Sequence, residues 1–276
     1  MVTDDLDAPY SLASGDLAAF REKGYIKLRN VLSAETLKHY GEEISRLVIA
    51  LNRNEIPLAE RTTYGRAFLQ VGNLWRHSAL VETFVRSKRL ARIAADLLEV
   101  SGVRLYHDQA LYKEPGGGIT PWHADQYYWP FATDRAVTLW VPLQQTPVEM
   151  GALSFCEGSH GLDLERGLEI SDESEARISK DVIGAGLQID ESAFDLGEVS
   201  YHLGWTFHRA GPNGADRARG VMTMIYIDAD MTLAAPTNQN QQSDWERWMP
   251  GIGIGERIDT PQNPILFHRP FRSIGK

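Results

Sequence analysis

The stretch TPWHAD at residues 120–125 places His123 and Asp125 two residues apart, between segments of apolar, strand-like sequence. Side chains alternate between the two faces of a strand, so we expect both groups on the same face. A second histidine, His208, ends the glycine-containing turn at residues 203–208. Two imidazoles and one carboxylate on one side of a metal are the donor set of non-haem Fe(II) oxygenases, which leaves positions open for further ligands. The pattern predicts an iron centre built from these three residues.

The identity of the second histidine is not decided by spacing alone. The chain has 8 histidines, and most histidines in proteins are surface or core hydrogen-bonding groups. His107 and His160 are alternative ligands in principle. His202 lies six residues before His208 and shares its strand parity, so it remains an alternative at this point.

An arginine, Arg219, follows His208 at a spacing of eleven residues and opens the apolar segment 220–227. A guanidinium that enters the interior of a barrel needs an anion, because a buried unpaired charge is very costly. Its planar fork matches a carboxylate. The far carboxylate of 2-oxoglutarate, whose other end would chelate the iron, is the obvious candidate. Arg217 could share the same face and competes for this role.

The order of these features resembles the phytanoyl-CoA dioxygenase family of Fe(II)- and 2-oxoglutarate-dependent oxygenases. The resemblance is carried by TPWHAD, by GALSF at 151–155 running into GSH at 158–160, by GEV at 197–199 and by the spacing from His208 to Arg219. It covers roughly residues 20–230. It implies a mainly β fold with flanking helices, a double-stranded β-helix or jelly roll. It also implies that His123, Asp125 and His208 bind Fe(II) and that Arg219 binds 2-oxoglutarate.

The resemblance also indicates further cosubstrate contacts and two departures from the family pattern. Gln109 is expected to contact 2-oxoglutarate, and Thr120 and Trp140 are candidates for the same pocket. Many relatives carry a glutamine where this chain has Ala124, a position that points away from the metal. At the position of Ala210, some relatives have a serine that helps to bind the cosubstrate carboxylate. In this chain that contact must come from elsewhere or be missing.

Candidate substrate-binding residues come from three stretches. Residues 68–75 resemble a segment that lines the substrate mouth in relatives, residues 126–131 form an aromatic run directly after the metal pair, and two tryptophans stand three apart in the tail. The residues predicted to bind substrate are Gln70, Asn73, Tyr127, Trp129 and Trp245.

Composition is that of an ordinary soluble enzyme. The 276 residues are 43% hydrophobic and 24% charged, near globular averages, and no apolar run reaches the ~18 residues of a membrane helix. The net charge of −9 argues against nucleic-acid binding. The single cysteine, Cys156, and an acidic N-terminus without the layout of a signal peptide predict a cytoplasmic protein. The sequence does not indicate an oligomeric state.

The chain is predicted to form one domain, residues 1–276, in three parts. Helices are expected between about residues 13 and 100, including one that begins at Ser78 and continues to Leu97. Short strands punctuated by glycine and proline predict the jelly-roll core at about 103–230. An acidic insert at about 163–195 interrupts this core, and a polar, irregular tail at 231–276 follows it. Each of the two segments is either a candidate lid or a surface loop.

The resemblance implies a dioxygenase that uses Fe(II), 2-oxoglutarate and O₂ to hydroxylate an unactivated C–H bond of a small molecule, such as a natural-product or catabolic intermediate. Halogenating relatives replace the metal-binding carboxylate by a small residue, so Asp125 favours oxygen chemistry. Oxidative cyclisation, desaturation or epimerisation of a secondary-metabolite intermediate is the first alternative. A metal-binding jelly roll without oxygenase activity is the second, and it leaves Arg219 unexplained.

Overall fold

The computed structural model describes residues 4–164 and 166–270. Its helices are α1 (Asp4–Asp7), α2 (Asp16–Lys23), α3 (Ala34–Leu51), α4 (Thr63–Ala67), α5 (Ala79–Val85), α6 (Lys88–Leu97), α7 (Asp172–Gly184) and α8 (Gln239–Trp248). Its strands are β1 (Tyr25–Leu28), β2 (Leu69–Gly72), β3 (Gly102–Lys113), β4 (Thr120–His123), β5 (Ala136–Pro142), β6 (Leu153–Cys156), β7 (Ile189–Asp190), β8 (Val199–Leu203), β9 (His208–Ala210), β10 (Arg219–Asp228) and β11 (Ile265–His268).

The strands form two antiparallel sheets. The major sheet has seven strands in the order β1-β8-β5-β10-β3-β11, with β2 also paired to β3. The minor sheet has four strands in the order β4-β9-β6-β7. The mainly β jelly roll with flanking helices is confirmed. It is larger than predicted, because β1, β2 and β11 lie outside residues 103–230 and still join the major sheet.

The N-terminal helices cover the major sheet. Apolar side chains of α3, α5 and α6 share one core with β3, β5, β8 and β10. The prediction of a continuous helix from Ser78 to Leu97 is wrong, because the chain breaks at Arg86 and Ser87 between α5 and α6. The Ser87 hydroxyl accepts from the backbone N–H of Leu90, 3.3 Å away, and this local cap starts a new helix.

The acidic insert is partly folded onto the barrel. Helix α7 begins with a capping box between Ser171 and Ser174, and its Ile178 and Val182 pack in a buried cluster with Trp122 of β4. The tail is more regular than predicted, because it contains α8 and β11. Among the described residues, no helix is long and apolar enough to cross a membrane.

Candidate metal centre and cosubstrate cavity

Three elements bring the predicted metal-binding residues together. In the minor sheet, His123 at the end of β4 is paired directly with His208 at the start of β9. Asp125 lies in the 3-10 turn Asp125–Tyr128 that follows, so it reaches the site from the turn and not, as expected, from the same strand. Each of the three offers a donor atom, and these atoms lie within 4.8 Å of one another. We call these residues the donor cluster.

Backbone contacts fix the orientation of both imidazoles. The Nδ1 atoms of His123 and His208 lie 2.7 Å from the carbonyl of Pro121 and 2.9 Å from that of Thr206. Because a carbonyl only accepts, each Nδ1 carries the hydrogen, and each Nε2 has a free lone pair. The two Nε2 atoms lie 3.7 and 3.6 Å from Oδ1 of Asp125. Three lone-pair donors therefore converge on one point.

Burial sets the charge of the donor cluster. It lowers the pKa of His123 to about 3 and that of His208 to about 4, so both imidazoles are neutral near pH 7. Burial alone would raise the pKa of Asp125, but His208 and then His202 and His123 outweigh it and hold that pKa below its usual range. Neutral imidazoles and an ionised carboxylate are the forms that bind a divalent metal. The donor cluster fits ferrous iron.

His202, the alternative ligand, contacts Asp125 from behind. Its Nε2 lies 3.2 Å from Oδ2 of Asp125, and the Thr138 hydroxyl donates to the same oxygen at 2.7 Å. These two bonds occupy Oδ2 and turn Oδ1 toward the histidines of the donor cluster. His160 is remote, with Nε2 3.0 Å from the carbonyl of Arg21.

Arg219 and the donor cluster line one cavity. The Arg219 side chain is buried, 2% exposed, and its Nη1 donates to the carbonyl of Gly151 at 2.6 Å. Its guanidinium lies 5.4 Å above the ring of Trp140. Its Nε has no hydrogen-bond partner, and no carboxylate in the described chain forms an ion pair with it. Arg217, the competitor, is exposed.

A second buried basic side chain, Lys113, lies opposite Arg219. The two residues are directly paired between β3 and β10, so their side chains share a face. Lys113 is 0% exposed; its Nζ donates to the carbonyl of Gly118 and to the Thr120 hydroxyl, 3.3 Å away. Burial lowers the pKa of Lys113 to about 6, with the charge of Arg219 as a further cause. We call Arg219, Lys113 and Thr120 the anion pocket.

A cavity of about 240 Å³ between the two sheets is lined by the donor cluster and by Arg219 and Thr120 of the anion pocket, whereas Lys113 does not line it. Gln109 and Trp140, which were also predicted to contact the cosubstrate, line the cavity too. Gln70 and Trp129, predicted to bind substrate, also line it. Its remaining lining is mostly apolar or aromatic, with Ala210 beside the anion pocket.

Three residues predicted to bind substrate do not line this cavity. Asn73 donates from its side-chain amide to Gln262. The Tyr127 carbonyl accepts from Gln241 of α8. The Trp245 indole donates to the carbonyl of Ile252, 2.8 Å away, and packs in a core cluster.

The sequence analysis missed several lining residues. They are Tyr64 of α4, Ile170 of the insert, and Asp244 and Arg247 of α8. Phe68 and Trp248 also line the cavity and lie in stretches already considered for substrate binding, and His107 of β3, considered only as a metal ligand, lines it too. For α8 a signal was present: residues 244, 247 and 248 follow the i, i+3, i+4 spacing of one helix face. The tail was interpreted as irregular, so this spacing was not used.

Comparisons with known proteins agree with this geometry. A family model described as phytanoyl-CoA dioxygenase (PhyH) matches residues 20–221. A protein of Stutzerimonas stutzeri named "Probable alpha-ketoglutarate-dependent hypophosphite dioxygenase" is 25% identical over 222 residues, 76% of this chain and 77% of the relative.

Two solved structures from nogalamycin biosynthesis resemble the fold. The alpha-ketoglutarate-dependent carbocyclase SnoK has a TM-score of 0.76 at 23% identity, over 94% of this chain and 99% of its own. The epimerase SnoN, in complex with Fe³⁺, alpha-ketoglutarate and nogalamycin RO, has a TM-score of 0.74 at 25% identity, over 91% and 97%.

Proposed function

Because this chain belongs to the phytanoyl-CoA dioxygenase (PhyH) family, an Fe(II)- and 2-oxoglutarate-dependent oxygenase family, we propose that it hydroxylates an unactivated C–H bond of a small molecule, with His123, Asp125 and His208 as the iron ligands. The observation that carries the assignment is the convergence of two Nε2 lone pairs and Oδ1 of Asp125 within 4.8 Å. Engagement of the other carboxylate oxygen by Thr138 and His202 supports binding through Oδ1 alone.

The anion pocket suits the far carboxylate of 2-oxoglutarate. Arg219 offers a buried guanidinium with an unpartnered Nε. The Thr120 hydroxyl oxygen accepts a hydrogen bond from Lys113. The hydrogen of that hydroxyl is therefore free to point into the cavity. We assign all three to the cosubstrate, with Trp140 and Gln109 beside them. When bound, ferrous iron, 2-oxoglutarate and O₂ supply the oxidising chemistry, and 2-oxoglutarate is converted to succinate and CO₂.

The chain's own residues orient the reactants and restrict water. The hydrogen bonds to Pro121 and Thr206 hold the imidazoles in place. Apolar and aromatic side chains also line the cavity, among them Leu153, Trp129 and Trp248. Where such side chains exclude water, electrostatic contacts are stronger and side reactions are limited.

The first experiment tests the ligand set. Adding 2-oxoglutarate under anaerobic conditions to protein loaded with Fe(II) should produce a visible charge-transfer band. His208→Ala should lose the band and the release of succinate, because one of three ligands is gone. The matched control is His160→Ala, which changes a histidine remote from the site and should retain both. A band and full turnover in His208→Ala would contradict the assignment.

Oxidative cyclisation or epimerisation is the second candidate, favoured by the likeness to the epimerase SnoN at 25% identity. The two candidates differ in the fate of oxygen. Under ¹⁸O₂, hydroxylation places one labelled atom in the product, whereas cyclisation or epimerisation leaves the product unlabelled. The cellular compartment remains the prediction made from the sequence.

A further inference from the structure

The cavity also contains a carboxylate that forms no salt bridge with another described residue. Asp244 of α8 lines the cavity, and its Oδ2 accepts from the Tyr106 hydroxyl at 2.9 Å. No lysine, arginine or histidine in the described ranges forms an ion pair with it. Arg247 is exposed and lies over the Trp248 ring at 4.3 Å. Burial raises the pKa of Asp244 to about 6, although the hydrogen bonds from Tyr106 and Trp248 and the charge of Arg247 act in the opposite direction.

An imidazole whose Nδ1 has no hydrogen-bond partner lines the same cavity. His107 lines the cavity and is 5% exposed, and its ring stacks on Trp248 with centroids 4.3 Å apart. Its Nδ1 is buried and has no hydrogen-bond partner. Burial lowers the pKa of His107 to about 3, so the ring is neutral. A buried polar atom without a partner is unusual in a folded protein and calls for one.

Helix α8 is fixed to the turn that carries Asp125. Asn238 and Gln241 both donate to the carbonyl of Tyr127, at 3.3 and 3.1 Å. A group bound at Asp244 is therefore held at a set position relative to the donor cluster. The helix lies beyond the residues matched by the family model, so the family pattern does not assign it a role.

We propose that Asp244 and His107 form a subsite that binds a hydrogen-bond-donating group of the substrate, an ammonium or a hydroxyl, at the end of the cavity away from Arg219. The proposal rests on the proposed function and specifies its substrate class. A carboxylate has about four acceptor positions, so Asp244 retains capacity beside the bonds from Tyr106 and Trp248. Aromatic rings of Tyr64, Tyr128 and Trp129 also line the cavity.

The test uses three probes with one ring and different head groups: cyclohexylmethylamine, cyclohexylmethanol and cyclohexanecarboxylate. Each is titrated at pH 7.5 into the anaerobic complex of the full chain with Fe(II) and 2-oxoglutarate. Binding is measured by calorimetry and by the change in the visible band. We expect the amine to bind best, the alcohol to bind more weakly and the carboxylate not to bind.

Asp244→Asn keeps an acceptor for Tyr106 and removes the negative charge. It should weaken binding of the amine about tenfold or more, the effect of losing a hydrogen bond to a charged group, and leave the alcohol nearly unchanged. Glu246→Gln is the matched control, because it makes the same chemical change at an exposed position of the same helix. It should leave both affinities at the wild-type value.

The outcomes separate the two proposals. Three results would overturn the subsite alone: the affinity for the amine does not change in Asp244→Asn, the carboxylate probe binds best, or no probe binds to a complex that shows the band. If Asp244→Asn weakens amine binding less than tenfold and weakens alcohol binding equally, the subsite binds hydroxyls. Failure of the band to form with 2-oxoglutarate would instead overturn the proposed function.

Discussion

Replacing Lys113 by methionine should stabilise the protein without cosubstrate and weaken its binding of 2-oxoglutarate. Lys113 is fully buried opposite Arg219, and no carboxylate of the described residues pairs with either side chain. Protonating both groups with no anion nearby is costly, so native Lys113 is held mostly as the neutral amine at pH 7. Methionine has a similar length and no titratable group, so it removes this cost and also removes one basic group from the anion pocket.

The magnitude follows from the pKa of Lys113, which burial and Arg219 lower from 10.5 to about 6. Each pKa unit corresponds to about 1.4 kcal/mol, so keeping this amine unprotonated at pH 7 costs about 5 kcal/mol. The variant loses the bonds to Gly118 and Thr120, which contribute about 1 kcal/mol each, and leaves a carbonyl unsatisfied. A net gain of about 2 kcal/mol remains, or roughly 4–8 °C in Tm.

The dependence on pH has a definite sign. Between about pH 6 and pH 10.5 the unfolded chain binds the proton that native Lys113 lacks, so this residue makes the native state more stable as the pH rises through that window. The advantage of Lys113→Met should therefore be largest near pH 6–7 and shrink toward pH 10. Denaturant unfolding of wild type and variant at several pH values measures it.

The same variant should bind 2-oxoglutarate about fivefold more weakly, because it loses the hydrogen bond by which Lys113 orients the Thr120 hydroxyl, and such a bond contributes about 1 kcal/mol. Adding 2-oxoglutarate should consequently raise the Tm of wild type more than that of the variant. A lower Tm of the variant without cosubstrate would refute the idea that burial of the Lys113 amine is costly. An unchanged affinity for 2-oxoglutarate would refute its place in the anion pocket.

Two further predictions concern the carboxylate of the donor cluster and the backbone. Thr138→Val removes the 2.7 Å hydrogen bond to Oδ2 of that carboxylate. It should weaken Fe(II) affinity about 10–100-fold, as measured by competition with a chelator, while fold and Tm stay near wild type. An unchanged affinity would contradict the role of Thr138 in orienting the carboxylate. Gly197→Ala places a Cβ against a backbone carbonyl at a φ of +88° and should lower the free energy of unfolding by more than about 2 kcal/mol. Gly186 has a φ of +65° and open space around it, so Gly186→Ala should lower the free energy of unfolding by only about 1 kcal/mol. If both variants lose the same free energy of unfolding, the close approach at Gly197 is unimportant.

Local patterns were sufficient for the centre of the site. His123, Asp125 and His208 were identified because the two-residue spacing and the family-like order of motifs can be read from the sequence without knowledge of the packing. Arg219 was identified because burying its charge without an anion is costly. Short strands separated by glycine and proline predicted a mainly β core, and the resemblance to the family implied that this core is a jelly roll.

Contacts between distant segments decided the rest. Whether His202 binds metal or supports Asp125 depends on the position of β8 behind the 3-10 turn, and parity within one strand could not distinguish them. The pairing of Lys113 with Arg219 is a matter of sheet register across more than a hundred residues.

By itself, the sequence determined the chemistry of the metal, because the donor atoms and their spacing are local properties of the chain. Only the tertiary structure decided which side chains line the cavity. Asp244, and not Trp245, reaches the cavity because docking of α8 on Tyr127 sets the rotation of that helix. Such a rotation is fixed by packing between elements far apart in the chain, and no local pattern encodes it.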